Sequence, residues 1–287
     1  MLPAADGAGP AYPVPHCEWN ADWLTALRQS ACQPPRAPRQ PLYLGSDKIG
    51  SVEPLFFHAF LEQNPQLLGP CLAPGVDNGW CIQGNANTTL AVLADALRIF
   101  PGSPVGRLWR DEKLAVRADD GRVLAAVERG AVRALGIATR AVHLLGLTPT
   151  GDSWIQQRAL DKPTDPGLWD TLMGGMVPVS DTLEQALARE TWEEAGLLLS
   201  DLSHLHHAGS MVLQKPAHAG DAIGYVVERA DCYIAQVPAN RVPQNQDGEV
   251  AQFVCASPQV LHHMLEQGQF TLEAALLLAH FQPASRG

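Results

Sequence analysis

Residues 181 to 196, DTLEQALARETWEEAG, constrain this chain more than any other stretch, because they spell a bounded helix whose buried edge changes character halfway along. Asp181 stands where an N-cap belongs, with Glu184 three residues on to complete a capping box, and Gly196 stands where a C-terminal glycine belongs. Leu183, Ala186 and Leu187 recur on one helix face, which predicts burial against a sheet. One heptad later the same positions are Glu190, Glu193 and Glu194. Carboxylates at i,i+3 and i,i+4 repel, and the negative end of the helix dipole adds to a cost on the order of 1–3 kcal/mol. A solvated acidic face would lie opposite the apolar stripe, whereas this one continues it. Hard cations resolve the conflict. Mg²⁺ takes oxygen ligands, needs few protein carboxylates and completes its shell with water and substrate phosphates. Clustered ions would bridge a diphosphate, offset its charge and make a water acidic enough to attack phosphorus.

The formal net charge of −10 argues against nucleic acid and anionic membranes as partners and leaves a small-molecule diphosphate as the expected one. An acidic protein that handles a polyphosphate needs a local reversal of sign, from clustered Arg and Lys or from divalent cations. With 46% hydrophobic and 17% charged residues the chain reads as globular. Its six cysteines, at 17, 32, 71, 81, 232 and 255, form no CxxC pair and read as free thiols of a reducing compartment. No run reaches the ~18 apolar residues of a membrane helix, and the N-terminus lacks the basic and apolar regions of a signal peptide. The expected location is cytoplasmic.

A length of 287 residues predicts two domains. Residues 1–15, rich in Ala, Gly and Pro, read as a flexible lead, and residues 16–136 as an α+β N-terminal block. Within it a helix is expected at 19–30, a strand, turn and helix over Leu42 to Leu61, a helix at 88–100 capped by Thr88 or Thr89, and a hairpin turning at Asp119-Asp120-Gly121. Residues 137–287 alternate strands at 141–148, 154–160, 208–214, 224–237 and 249–256 with helices at 182–195, 258–267 and 271–281, an α/β or α+β layered domain. No catalytic constellation stands out in the N-terminal block, which leaves it the roles of covering a pocket or mediating a homodimer.

The stretch GGMVPVSDTLEQALARETWEEAGL resembles the Nudix box. Gly175, Arg189, Glu190, Glu193, Glu194, Gly196 and Leu197 fall at the family's spacings, while Asp181 stands for its Glu and Thr191 for its aliphatic residue. The resemblance implies an α/β/α sandwich with a mixed sheet and a Mg²⁺-dependent diphosphate hydrolase, with Mn²⁺ as a substitute. It implies that Glu190, Glu193 and Glu194 bind metal with the Gly174 carbonyl, and that Arg189 holds the acidic cluster in place. Asp181 is expected only to cap the helix. The general base is a box Glu or the loop residue Glu249, whose bland alternative is a strand-edge charge. Arg158 and Lys162 could contact substrate phosphates or be solvated, and Trp169 and Asp170 could shape the pocket, although a Trp in this position is more often core.

IQQRALDKPTDPGLWDTLMGGMV and the C-terminal DGEVAQFVCASPQVLHHMLEQGQFTLEAALLLAHF resemble a Nudix branch found in thiamine-pyrophosphokinase-related proteins, and WRDEKLAV with VERGAVRALGIATRAVHLLG is similar to its preceding partner domain. That branch implies thiamine diphosphate or its oxidised analogues as substrate, cleaved to the monophosphate and phosphate. Alternatives are a nucleoside-diphosphate-sugar or dinucleotide pyrophosphatase, a non-catalytic Nudix ligand-binding regulator, and an isopentenyl diphosphate isomerase-like enzyme. The isomerase relies on a Cys just after the Trp-Asp pair, where this chain has TLMGGMV.

Overall fold

The structure, a computed structural model, describes residues 19–217 and 223–281. The expected flexible lead at 1–15 and Cys17 lie outside the described residues. Helix α1 (Ala21–Ala31) is capped by Asn20, whose side chain accepts from Asp22 N and Trp23 N. Its apolar side chains, Trp23 and Leu27, pack into the core of the second half of the chain instead of joining the first. An amphipathic helix followed by prolines thus goes where its apolar face can be buried, here against the second half of the chain.

Residues 40–137 enclose a core built on Phe57, Phe60, Leu90, Leu93, Leu97 and Leu135. Strands β1 (Gln40–Leu44) and β2 (Asp47–Val52) form an antiparallel hairpin where one strand is expected, since Gly45, at φ 60°, turns the chain between them. Helix α2 (Pro54–Gln63) follows, with proline in its first turn and Glu53 as its cap. Strands β3 (Leu72–Pro74) and β4 (Trp80–Ile82) complete a sheet of order β2-β1-β4-β3. Helix α3 (Ala86–Ile99) is capped by Asn85 and not by Thr88 or Thr89, because the Asn85 side chain already accepts from Thr88 N at 3.1 Å. After the short α4 (Val105–Leu108), the hairpin β5 (Lys113–Arg117) and β6 (Val123–Glu128) forms where the Asp-Asp-Gly turn predicts it.

The second half is one mixed sheet between helices. Its strands are β7 (Thr139–Leu147), β8 (Ser153–Arg158), β9 (Trp169–Asp170), β10 (Met173–Met176), β11 (Ser203–Pro216), β12 (Tyr225–Gln236) and β13 (Val250–Ala256). They run in the order β11-β12-β7-β8-β13, with β10 on β7 and β9 on β8; β12 is parallel to β7 and the other pairs are antiparallel. Helix α5 (Leu183–Ala195) packs Ala186 and Leu187 against Val142 and Leu144 of β7. On the opposite face Leu145 meets the layer of α1, α6 (Pro258–Glu266) and α7 (Leu272–Phe281). Because helices cover both faces, β7 is buried along nearly its whole length and shows no polar alternation. The result is an α/β/α sandwich with a mixed sheet, preceded by a smaller α+β unit.

The two units are stitched by backbone. Val179 N donates to Lys113 O at 2.8 Å, Tyr225 N donates to Arg133 O at 2.9 Å, and Arg39 donates to the carbonyls of Ser51 and Ile223 at 2.6 Å each. Strand β5 is thereby held beside the turn that leads from β10 into α5. Leu187, fully buried between α5 and β7, tests this packing. Leu187→Ala is expected to cost about 2–5 kcal/mol, read as a lower urea midpoint with an unchanged m-value.

Candidate functional site

Helix α5 begins one residue later than its cap was expected. Thr182 is the N-cap, in a reciprocal box with Gln185, and Asp181 and Glu184 are not. Asp181 is diverted: its Oδ2 accepts from Arg189 Nε at 3.1 Å, so the shorter carboxylate pairs with the box arginine instead of capping. Gly196 closes the helix in the left-handed conformation, at φ 63°.

The buried edge of α5 is Ala186, Leu187, Glu190, Thr191, Glu194 and Ala195, so two of the three glutamates continue the apolar stripe and Glu193 sits at its rim, with a side chain 41% exposed. Arg189 Nη1 lies 2.9 Å from both Glu190 Oε1 and Glu193 Oε2. Burial alone would lower the pKa of Arg189, but Glu190, Asp181 and Glu193 outweigh it and hold the guanidinium charged. Glu194 is buried; its Oε2 accepts from Gly174 N at 3.0 Å and from Gln156 Nε2 at 2.8 Å. Burial first, and the charge of Glu190 second, push the Glu194 carboxyl up to about 7. Burial likewise raises Glu190, against the pull of Arg189.

Two adjacent glycines of β10 make room for this arrangement. A Cβ on Gly175 would fall 2.1 Å from Glu190 Cδ, and one on Gly174 would fall 2.6 Å from the His143 ring. The loop from Gln244 to Glu249 is tied to the end of α5, since Gln244 N donates to Ala195 O at 2.8 Å and Gln246 N to Glu193 O at 3.0 Å. These bonds satisfy carbonyls a helix end leaves open and place Asp247 and Glu249 beside the box.

These groups line one polar cavity of about 300 Å³. Glu190, Glu193, Glu194, Arg189, Gly174, Arg158, Lys162, Asp170 and Glu249 all reach it. Trp169 does not: its ring packs into the core under α7, while its backbone pairs with Gln269 and Thr271. Strand alternation turns Asp170 inward and Trp169 away. Lys162 is ion-paired with Glu249; burial lowers its pKa, offset in part by Glu194. Arg158 is largely engaged by its own loop, donating to Asp165 O and Thr164 O, and lies 3.5 Å from Asp170.

Sequence reading missed the residues that the first unit sends into this cavity. Arg110, Glu112 and Arg129 of the β5–β6 hairpin line it, with Arg133 just beyond. Arg129 Nη1 is 2.8 Å from Glu112 Oε2. Lys113 pairs with Glu128 in the hairpin register, so Glu112 and Arg129 are neighbours at its open end, a placement the turn position alone could have given. Gln156, which orients Glu194, carried no sequence signal beyond its place in a strand.

Among the described residues no three carboxylate, imidazole or thiol groups converge as a ready-made metal cage. The donor set nevertheless fits a hydrated hard cation, which needs only one or two protein carboxylates. Glu190, Glu193 and Glu194 offer oxygens, and Gln156 Oε1 beside Glu194 is buried with no hydrogen-bond partner.

The raised Glu194 pKa has a stability consequence. The folded carboxyl keeps its proton between the ordinary value of 4.5 and about 7, whereas the unfolded one loses it. Folded stability of the metal-free protein should therefore fall as pH rises through that window, by up to ~3 kcal/mol. Glu194→Gln should flatten the fall, as measured by thermal midpoints at pH 5 and pH 8 in EDTA.

The family model described as "NUDIX domain" matches residues 138–276. An uncharacterized protein of Saccharomyces cerevisiae, YJR142W, is 28% identical over 60% of this chain and 54% of its own length. Nudix hydrolase 20, chloroplastic, of Arabidopsis thaliana is 30% identical over 60% of this chain and 46% of its own. The chain thus spans about half the length of these two relatives. An isopentenyl-diphosphate Delta-isomerase of Kocuria rhizophila is 29% identical over 49% of this chain and 74% of its own. The acidic helix, the two glycines beneath it and the spacing of the box all fall within residues 138–276, the stretch that matches the Nudix domain model.

Proposed function

We propose that this chain is a Mg²⁺-dependent hydrolase that cleaves a diphosphate linkage, with Mn²⁺ able to substitute. The observation that carries the reading is the two-signed cavity: the carboxylates of α5 on one wall face Arg110, Arg129, Arg133, Arg158 and Lys162 from other elements. Glu190, Glu193 and Glu194, with the Gly174 carbonyl, would hold the cation. When bound, it supplies charge neutralisation and Lewis acidity at the diphosphate. The chain's own groups do the rest. Arg189 keeps the glutamates from splaying, Gly174 N and Gln156 fix Glu194, and the arginines of the β5–β6 hairpin bring the positive charge that orients phosphate oxygens. The proton of the attacking water goes to a box carboxylate or to Glu249, and the pairing of Glu249 with Lys162 puts both in reach of one substrate.

For the substrate we favour thiamine diphosphate or its oxidised analogues, giving the monophosphate and phosphate. Two features support this. Among the described residues no Phe, Tyr or Trp lines the cavity to stack on a nucleobase. Glu228, which lines the cavity and accepts from Thr139, has no cation within 4.0 Å among the described residues and suits a positively charged organic group. The isomerase reading is disfavoured because none of the five described cysteines lines the cavity. A regulator without activity would not need the three carboxylates and the opposing cations together. No helix among the described residues is long and apolar enough to cross a membrane, and the described cysteines are all free, which supports placement in the cytoplasm.

Chromatographic product analysis with Mg²⁺ or Mn²⁺ tests the proposal, reading monophosphate plus phosphate from thiamine diphosphate and oxothiamine diphosphate, and AMP plus the second monophosphate from ADP-ribose and NADH; a clear preference for ADP-ribose or NADH removes the substrate assignment, and no cleavage of any of them removes the hydrolase. Glu194→Gln should lower kcat by about 10²–10⁴-fold while the protein stays folded. Arg129→Ala should act differently, raising KM about 10- to 100-fold through the loss of a charge-assisted contact.

A further inference from the structure

Beside the diphosphate cavity lies a second and larger one, of about 850 Å³, between the first unit and strands β7 and β12. Its walls carry Arg39, Lys48, Arg117, Arg140 and Arg229 against one carboxylate, Asp119. A chain with 20 Lys and Arg and a net charge of −10 has gathered five of its cations around one space. Like charges gathered this way raise the free energy of the empty protein and attract an anion into the gap.

The neutralising contacts within the protein do not balance them. Arg39 is engaged with the carbonyls of Ser51 and Ile223. Arg140 and Arg229 share a single buried carboxylate, Asp231, at 2.8 Å and 3.5 Å, and His207 shares it too. Arg117 donates to Gly121 O at 3.0 Å, and among the described residues neither Arg117 nor Lys48 has a carboxylate within 4.0 Å. Arg140 Nε is buried with no hydrogen-bond partner. Burial, and then the charge of Arg140, lower the pKa of Arg117. Lys48, Arg117 and Arg140 come from three different strands, so no single local motif explains their convergence.

We propose that this cavity is a second anion site, distinct from the diphosphate-cleaving one, for a small molecule carrying a diphosphate or a comparably charged phosphate group. Arg117 and Arg140 supply forked donors for phosphate oxygens, and Lys48 supplies a mobile charge at the rim. The volume falls within the range of small-molecule sites and leaves room for an organic portion. The two cavities share a wall, since Thr139 of the second donates to Glu228 of the first at 3.1 Å.

Calorimetric titration of the full chain with inorganic pyrophosphate in EDTA tests this, because the carboxylate site then has no cation to hold an anion. One saturable event is expected, weakened at least about tenfold in Lys48→Gln/Arg117→Gln and unchanged in Arg129→Ala, which alters only the first cavity. Lys48 is exposed, so Lys48→Gln alone, with a smaller loss, serves where the double variant does not fold. The proposal is overturned by an absence of binding, by binding abolished in Arg129→Ala and retained in the double variant, or by equal displacement with chloride at matched ionic strength. None of these outcomes bears on Mg²⁺-dependent hydrolysis at the first cavity, which is assayed separately.

Discussion

Electrostatic repulsion along the buried edge of α5 is the constraint on which the second half of the structure turns. Glu190 and Glu194 occupy positions where the fold supplies apolar neighbours, and their carboxyls are pushed toward the protonated form by burial. Arg189 bridges Glu190 and Glu193 through one nitrogen and reaches back to Asp181 with another. Gly174 N and Gln156 secure the most buried member. The site is strained in charge but fixed in geometry, and the proposed divalent cation would find its donors in place instead of having to assemble them.

The chemistry of α5 was legible in the sequence because helical spacing converts directly into neighbouring side chains. Seven box positions in register marked the helix and its glycine stop, while the reason for Gly175, whose missing Cβ leaves room for Glu190, is visible only in the structure. The cap was misread, since Asp181 and Thr182 are both good N-caps and the choice between them depends on Arg189, eight residues away. The side taken by Trp169 was left open for a related reason. Alternation in a two-residue strand decides which of Trp169 and Asp170 faces the cavity, and that depends on pairing with β8.

What the sequence did not reveal lies between units. Arg110 and Arg129 reach the cavity because Val179 hydrogen-bonds to Lys113 across a separation of more than sixty residues, and no local pattern encodes such a contact. Helix α1 likewise joins the second core although it precedes the first in the chain. Both are matters of which apolar or hydrogen-bonding surface is left for an element to cover, and propensity is silent on that.

The tie between Val179 and Lys113 also decides what the signature motif is worth when read alone. The second half, excised on its own, would keep every residue of the box and lose Arg110, Arg129 and Arg133. The positive charge around the carboxylates would then come from Arg158, Lys162 and Arg189 alone, the last already paired with the glutamates. Two proteins with identical boxes could therefore differ in whether a phosphate ester can approach at all, according to what each carries upstream.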